Sequence, residues 1–107
     1  MNAHKDDTGK PPLDLLDRYA LEQIGYALHH GATKYSRHNW RDGIAQSRLI
    51  AAALRHLFAH NDGEDLDSES DCLHLAHAAC CIMFAINMLE TRPDLDDRHK
   101  GISNGKD

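Results

Sequence analysis

The chain has 107 residues, of which 41% are hydrophobic and 27% are charged, and its formal net charge is −5 with every histidine counted as neutral. This length suits a single domain, and the composition excludes collagen-like, mucin-like and wholly disordered chains. The acidic balance argues against stable nucleic-acid binding and against an anionic membrane surface, because both partners require a basic face. The nine histidines are the unusual feature of the composition.

The chain divides by composition into three parts. Residues 1–12 are predicted to form an extended, polar N-terminal segment, residues 13–91 an all-α domain, and residues 92–107 a polar C-terminal tail. Both polar ends are expected to fray. The first helix is predicted over Asp14–His30, where apolar residues recur at steps of three and four, and Gly31 is expected to end it.

Two further helices follow a polar loop over residues 32–43. The second is predicted over Ser47–His60, with Ser47 as its N-cap and Asn61-Asp62-Gly63 as its end. The third is predicted over Asp71–Leu89 and is apolar nearly all round, so it should be central or lie in a subunit interface. The expected fold class is therefore all-α: a small antiparallel helical bundle of three main helices and a short one, forming a homo-dimer or homo-tetramer through helix faces.

The apolar run over residues 72–89 also bears on location. It contains histidines and an asparagine, which favours a core helix over a membrane span. The three cysteines lie close together in and beside this run, a spacing that does not suit a disulfide framework. Because no secretory signal pattern opens the chain, we expect a cytoplasmic protein with no membrane partner.

Histidines pair at helical spacing on the second and third helices. His56 and His60 are four residues apart, and His74 and His77 are three apart. If these helices form a hairpin, both pairs meet near the acidic residues of the connection, which predicts a site for a divalent transition metal. The alternative is a set of hydrogen-bonded histidines, with His60 interacting only with the helix dipole. The other histidines are expected to face solvent: His4, His29, His30, His38 and His99.

Basic and aromatic side chains border the loops and the second helix. If the basic ones converge they make a phosphate pocket, and if not they are solvated charges: Lys10, Lys34, Arg48 and Arg55. Tyr35 and Trp40 suit stacking on a nucleobase, although for Trp40 we favour a role as an anchor of the core. Cys80 and Cys81 lie in an apolar helix, where a thiol is expected to be inert.

Several spaced blocks resemble one known family. They run in order from the N-terminal segment to the third helix: Gly9-Lys10-Pro11-Pro12-Leu13-Asp14-Leu15-Leu16, Gly31-Ala32-Thr33-Lys34-Tyr35, Asn39-Trp40-Arg41, Leu54-Arg55-His56-Leu57, Gly63-Glu64-Asp65, Asp67-Ser68-Glu69-Ser70 and His74-Leu75-Ala76-His77-Ala78. Together they resemble the phage-encoded dATP/dGTP diphosphohydrolases, over about residues 9–89. The resemblance implies a relative of the MazG-like all-α nucleoside triphosphate pyrophosphohydrolases, which are oligomeric, need a divalent metal, and release a nucleoside monophosphate and pyrophosphate. It also implies the host cytoplasm as the location.

One departure from the MazG-like pattern affects the expected metal. That pattern carries two acidic helix motifs, whereas here Glu64-x-x-Asp67 lies in a loop and the third helix has His74-x-x-His77. Imidazole ligands would favour Mn²⁺, Co²⁺, Ni²⁺ or Zn²⁺ over Mg²⁺.

The resemblance and the residues together give an expected site. The expected metal ligands are His56, His74, His77, Asp67 and Glu69, and the expected catalytic carboxylates are Glu64, Asp67 and Glu69. The expected contacts to a deoxypurine triphosphate substrate are Lys10, Lys34, Tyr35, Trp40, Arg48 and Arg55. Two alternatives remain open: a triphosphohydrolase of the His-Asp domain class, which is weakened because the chain has no His-Asp dipeptide, and a non-catalytic helical module that binds a metal or a partner.

Overall fold

The computed structural model describes residues 2–101 and consists of three α-helices joined by loops. Helix α1 spans Arg18–Lys34, α2 spans Gln46–Asn61 and α3 spans His74–Thr91. Single 3-10 turns lie at Leu13–Leu15, Asn39–Asp42 and Pro93–Leu95. Within residues 2–101 no β-strand is present, which confirms the all-α fold class.

Helix α3 is the central element, because it packs against both α1 and α2. Its face toward α1 forms a first buried cluster from small residues, Ala27, Ala76 and Cys80. Its other buried cluster joins Leu49 of α2 with Ala85 and Met88. The small side chains of the first cluster allow α1 and α3 to approach closely. Phe84 packs against both clusters and links them into one core.

The ends of α1 differ from the prediction. The helix begins at Arg18 because the Asp17 side chain caps it, accepting a hydrogen bond from the backbone N–H of Ala20 at 2.8 Å. Gly31 does not end it: its carbonyl accepts the N–H of Tyr35 at 2.9 Å, and the helix continues to Lys34. A glycine ends a helix by adopting a positive φ, and Gly31 does not have one.

The C-terminal segment was expected to fray, but its described part is tied to the helices. Leu95 packs against the second core cluster, and the Arg92 guanidinium donates to the backbone carbonyl of Asp42 at 2.8 Å. Gly43 leaves room for Arg92, because its φ is +115° and a Cβ there would clash with the guanidinium. Residues 102–107 of the predicted tail lie outside the described residues.

Helix α2 is capped from outside its own sequence. It begins at Gln46 after Ala45, which offers no capping side chain, so the predicted Ser47 cap is wrong. Instead Ser47 donates its backbone N–H to the carboxylate of Asp97 at 2.9 Å and its hydroxyl to the other oxygen of that carboxylate. Asp97, which lies far along the chain, therefore accepts a hydrogen bond from one of the free backbone N–H groups at the start of α2.

We expect Asp97→Ala to lower the free energy of unfolding by about 1 kcal/mol, the usual cost of losing an N-terminal helix cap. Urea denaturation followed by circular dichroism at 222 nm measures this change. Asp62→Ala, at the opposite end of α2, is the matched control: Asp62 places a negative charge at the negative end of the helix dipole, so its removal should not destabilise. Equal losses in both variants would contradict a capping role for Asp97.

Helix α3 begins at His74, three residues later than predicted, because residues 64–73 form a closed loop. An isolated antiparallel bridge pairs Leu66 with Leu73, and Asp67 donates its N–H to the carbonyl of Cys72 at 2.8 Å. The predicted end of α2 is confirmed, since Gly63 follows the helix with φ +101°. In the described part of the chain, no helix has the length and apolar character needed to cross a membrane.

Candidate metal centre and adjoining cavity

Helices α2 and α3 bring three histidine rings together beside the loop of residues 64–73. Nδ1 of His56 lies 2.9 Å from Nδ1 of His74, and the His77 ring stacks on the His56 ring with centroids 4.8 Å apart. His74 is only 5% exposed, whereas His56 and His77 are partly buried. The predicted convergence of His56, His74 and His77 is therefore present. No contact brings His60 into this cluster within the described residues.

The charge state of the cluster suits metal binding. Burial lowers the pKa of His56, and the neighbouring His74 lowers it further. Burial also lowers the pKa of His77, and His56 adds to that effect. Both rings are consequently neutral at pH 7, and the neutral imidazole is the form that binds a metal ion.

Asp67 is the carboxylate closest to the histidines. Candidate ligand atoms of His56, Asp67 and His74 all lie within 4.8 Å of one another. Burial alone would raise the pKa of Asp67, but hydrogen bonds from Ser70 and Glu69 outweigh it and bring the pKa below its usual value. The Asp67 side chain therefore stays ionised and offers a negative oxygen beside the imidazoles of His56 and His74.

This donor set fits a divalent transition metal. Two neighbouring ligands at about 2.1 Å from an octahedral metal are separated by about 3.0 Å, and two opposite ones by about 4.2 Å. The 2.9 Å between the two Nδ1 atoms matches the first value. The candidate ligand atoms of the whole set lie within 4.8 Å of one another, about 0.6 Å beyond the second value.

Glu64 holds His74 rather than joining this set. Its carboxylate lies 2.6 Å from Nε2 of His74, and since a carboxylate only accepts, Nε2 carries the hydrogen. In the neutral ring the lone pair is then on Nδ1, the atom that faces His56. A carboxylate that fixes a histidine in this way is the usual support of a metal-binding imidazole.

Ser70 holds His77 in a comparable way. Nε2 of His77 lies 2.6 Å from the Ser70 hydroxyl, which also donates to Asp67 at 3.1 Å and accepts from the N–H of Cys72 at 3.1 Å. The prediction did not include Ser70. A usable signal was present, because an aspartate followed three residues later by a serine is a common local hydrogen-bonding pattern in loops.

A cavity of about 640 Å³ opens beside the histidines, between the loop after α1 and the faces of α2 and α3. This volume is in the range of sites for small molecules, about 300–1,000 Å³. Predicted metal-ligand side chains and basic side chains share its lining: Lys34, Arg37, Arg41, His56, Asp67 and His77.

The predicted basic residues differ in whether they line the cavity. Lys34 lines it and forms an ion pair with Glu69, Nζ to Oε2 2.9 Å, which also lines it. Glu69 is therefore paired with Lys34 and lies outside the group formed by His56, Asp67 and His74. The other predicted basic residues are not among the lining residues: Lys10, Arg48 and Arg55. The sequence did not distinguish them from Arg37 and Arg41, because the distinction depends on how the loop folds over the helices.

The two predicted aromatic residues differ in how far their side chains are available to contact a molecule in the cavity. Trp40 packs against the second core cluster and stacks on Phe84 with centroids 4.5 Å apart, and the Arg41 guanidinium lies 4.3 Å from its ring centre. This agrees with the favoured core role of Trp40, although part of it lines the cavity. Tyr35 is 65% exposed and lines the cavity as well.

The other histidines and the cysteines complete the comparison with the prediction. His30 does not simply face solvent: it is partly buried, lines the cavity and meets the His77 ring edge-on at 6.2 Å. The other four are exposed as expected, namely His4, His29, His38 and His99, although His29 and His38 also line the cavity. Burial raises the pKa of Cys80 to about 12, in agreement with an inert thiol.

Comparison with known proteins gives two matches. A family model described as "dATP/dGTP diphosphohydrolase, N-terminal" matches residues 2–98. A protein of Salmonella phage PMBT28 named dATP/dGTP diphosphohydrolase is 40% identical over 98 residues, which make up 92% of this chain and 33% of that protein. The chain thus spans about a third of the length of this relative. No solved structure matches.

Proposed function

Since the chain belongs to the family of dATP/dGTP diphosphohydrolase N-terminal regions, we propose that it binds and hydrolyses deoxypurine nucleoside triphosphates with the help of a divalent metal ion. The products would be the deoxynucleoside monophosphate and pyrophosphate. The observation that carries the proposal is that His56 and Asp67, which form the candidate metal group with His74, line a cavity that basic and aromatic side chains also line. We place the reaction in the cytoplasm, where deoxynucleotides are made, and in phage nucleotide metabolism.

The metal would be held by His56, His74 and Asp67, with His77 beside them. A divalent cation supplies Lewis-acid chemistry, because it offsets phosphate charge and makes water a better nucleophile at neutral pH. The protein's own task is to hold the ligands ready, which Glu64 does for His74 through their 2.6 Å contact. Mn²⁺, Co²⁺ and Zn²⁺ are preferred to Mg²⁺ by this donor set.

The substrate would lie in the cavity with its phosphates toward the basic loop. Lys34, Arg37 and Arg41 line the cavity, and they would offset charge on the triphosphate as it develops in the transition state. Tyr35 is the exposed aromatic side chain for the purine, with the accessible edge of Trp40 as a further contact. Lys10, Arg48 and Arg55 would act only as more distant positive charges.

The reaction is attack of water on the α-phosphorus, which breaks the bond to the oxygen that bridges the α- and β-phosphates. A phosphate that enters the cavity would compete with Glu69 for the ammonium group of Lys34. When a phosphate takes over Lys34, the Glu69 carboxylate is free to accept the proton of the attacking water. Pyrophosphate then leaves with the bridging oxygen.

The test is to incubate purified protein with dGTP or dATP and Mn²⁺ or Co²⁺ and to identify the products by chromatography. Pyrophosphate and the monophosphate are expected. Tripolyphosphate with free deoxynucleoside would overturn the cleavage position. A rise in melting temperature with nucleotide and metal, but no product, would instead identify a non-catalytic binding module.

We also propose that the chain forms a homo-dimer or homo-tetramer of antiparallel helical bundles through α3. Large apolar side chains remain exposed along this helix, with Ile86 at 64% and Leu89 at 51%. Ile82 and Ile86 border a shallow apolar groove on the same face. A second copy that covers this face would remove apolar surface from water.

We expect Ile86→Glu to convert the assembly to monomers, because an interface that buries an unpaired carboxylate is strongly destabilised. Sedimentation velocity of wild type and variant measures the change. Phe58→Glu is the matched control, since Phe58 on α2 is also 64% exposed and lies outside the groove. A monomeric wild type at high concentration would contradict the proposal.

A further inference from the structure

The structure assigns Ser70 as a positioning residue that holds His77 in one tautomer and one orientation beside the proposed metal ligands. The assignment rests on the proposed function for its purpose, but its geometry is independent of any activity. Ser70 lies in one of the sequence blocks that carry the family resemblance, but the resemblance gives it no role.

A serine hydroxyl has one hydrogen to donate and two lone pairs that accept. The Ser70 hydroxyl has three polar neighbours: an Asp67 carboxylate oxygen at 3.1 Å, the N–H of Cys72 at 3.1 Å and Nε2 of His77 at 2.6 Å. The carboxylate can only accept and the backbone N–H can only donate. The single hydroxyl hydrogen is therefore given to Asp67, and His77 must donate from Nε2.

This assignment fixes the chemistry of the His77 ring. With the hydrogen on Nε2, the neutral ring keeps its lone pair on Nδ1. The ring is also held nearly parallel to His56, with an interplanar angle of 14°. Ser70 thus sets which nitrogen of His77 is available as a ligand or proton acceptor, and it does so through the same hydroxyl that bonds Asp67.

The backbone fixes Ser70 itself. Its N–H donates to the Asp67 carboxylate at 3.0 Å, and the next residue, Asp71, has a φ of +58°. A positive φ in a residue other than glycine is uncommon and indicates a conformation imposed by its surroundings. Asp71 also donates its N–H to the carbonyl of Asp67 at 2.8 Å. A tight turn of the backbone consequently fixes the position of the Ser70 hydroxyl, which does not rotate freely as it would on an exposed side chain.

The test is the tautomer of His77 in the metal-free chain, read from the nitrogen chemical shifts of its ring in long-range proton–nitrogen correlation spectra at pH 8. Wild type is expected to show hydrogen on Nε2. Ser70→Ala is expected to give a mixture of tautomers, and Ser70→Thr, which keeps the hydroxyl, is expected to restore the wild-type spectrum. Ser68→Ala is the matched control, because Ser68 lies in the same loop and is exposed.

Titration of the same variants with Mn²⁺ gives a second readout. Loss of a group that orients a metal site weakens metal affinity by about 10- to 100-fold, so we expect a loss of this size in Ser70→Ala and none in Ser68→Ala. Hydrogen on Nδ1 of His77 in wild type, or an unchanged spectrum in folded Ser70→Ala, would overturn the assignment. The wild-type spectrum tests the assignment even if Ser70→Ala fails to fold. A protein whose spectrum agrees with the assignment but which does not hydrolyse dGTP contradicts only the proposed function.

Discussion

Replacing His74 by alanine is expected to reduce pyrophosphate release from dGTP by at least about 100-fold, because loss of a metal ligand should cost no less than loss of a group that supports one. His74 is buried and sits between two partners, Nδ1 of His56 at 2.9 Å and the Glu64 carboxylate at 2.6 Å. Its removal takes away one proposed ligand and leaves Glu64 without the ring that it holds. Product analysis by chromatography and titration with Mn²⁺ measure both effects.

The matched control for His74→Ala is His60→Ala. His60 lies one turn beyond His56 in the last turn of α2 and has no side-chain contact to the cluster among the described residues. The control should keep both activity and Mn²⁺ affinity. Thermal melting of both variants separates a missing ligand from an unfolded protein. A folded His74→Ala protein with wild-type activity would contradict the proposed metal centre.

Replacing Met88 by alanine is expected to lower the free energy of unfolding by about 2–5 kcal/mol, the usual cost of truncating a fully buried large side chain. Met88 is only 1% exposed and joins Leu49 and Ala85 in the second core cluster. In a chain of this size each 1 kcal/mol lowers the melting temperature by about 4–8 °C. If the total stability lies near the lower end of the usual range of about 5–15 kcal/mol, this loss is about two fifths of it or more. Urea denaturation followed by circular dichroism measures the effect.

Leu15→Ala is the control for the core variant, because it removes a side chain of similar size that is 78% exposed. We expect its effect to stay within about 0.5 kcal/mol, as for most surface substitutions. If both variants lost the same amount, Met88 would not lie in the main core, and the packing of α3 on α2 would have to differ from the structure described above.

The sequence predicted the helices better than their ends. The apolar periodicity on α1, α2 and α3 depends on burial along one helix, so it can be recognised without knowing the partner helix. The ends depend on particular contacts. Gly31 has the right residue type for a helix stop but not the required φ, and the cap of α2 comes from Asp97, which no local pattern could indicate.

The histidine cluster was predictable for a similar reason. His56 and His74 lie near the two ends of one helix connection, so a hairpin brings them close to each other. The hairpin alone did not indicate that His60, which lies nearer the connection, stays outside the cluster. The basic residues were not predictable, because Lys34 and Arg41 line the cavity while Arg48 does not. Their separation depends on the path of the loop over residues 35–45, where charge and residue type alone do not determine direction.

The bridge between Leu66 and Leu73 has a consequence for binding strength. The bridge closes the loop that carries Asp67. The conformational entropy of this carboxylate is therefore lost when the chain folds and not when an ion binds. The favourable enthalpy of coordination is then not offset by an entropy cost of ordering a flexible loop on binding. An ion would meet a site already close to its final shape, so the rate of capture would be set by diffusion and by removal of water from the ion rather than by rearrangement of the protein.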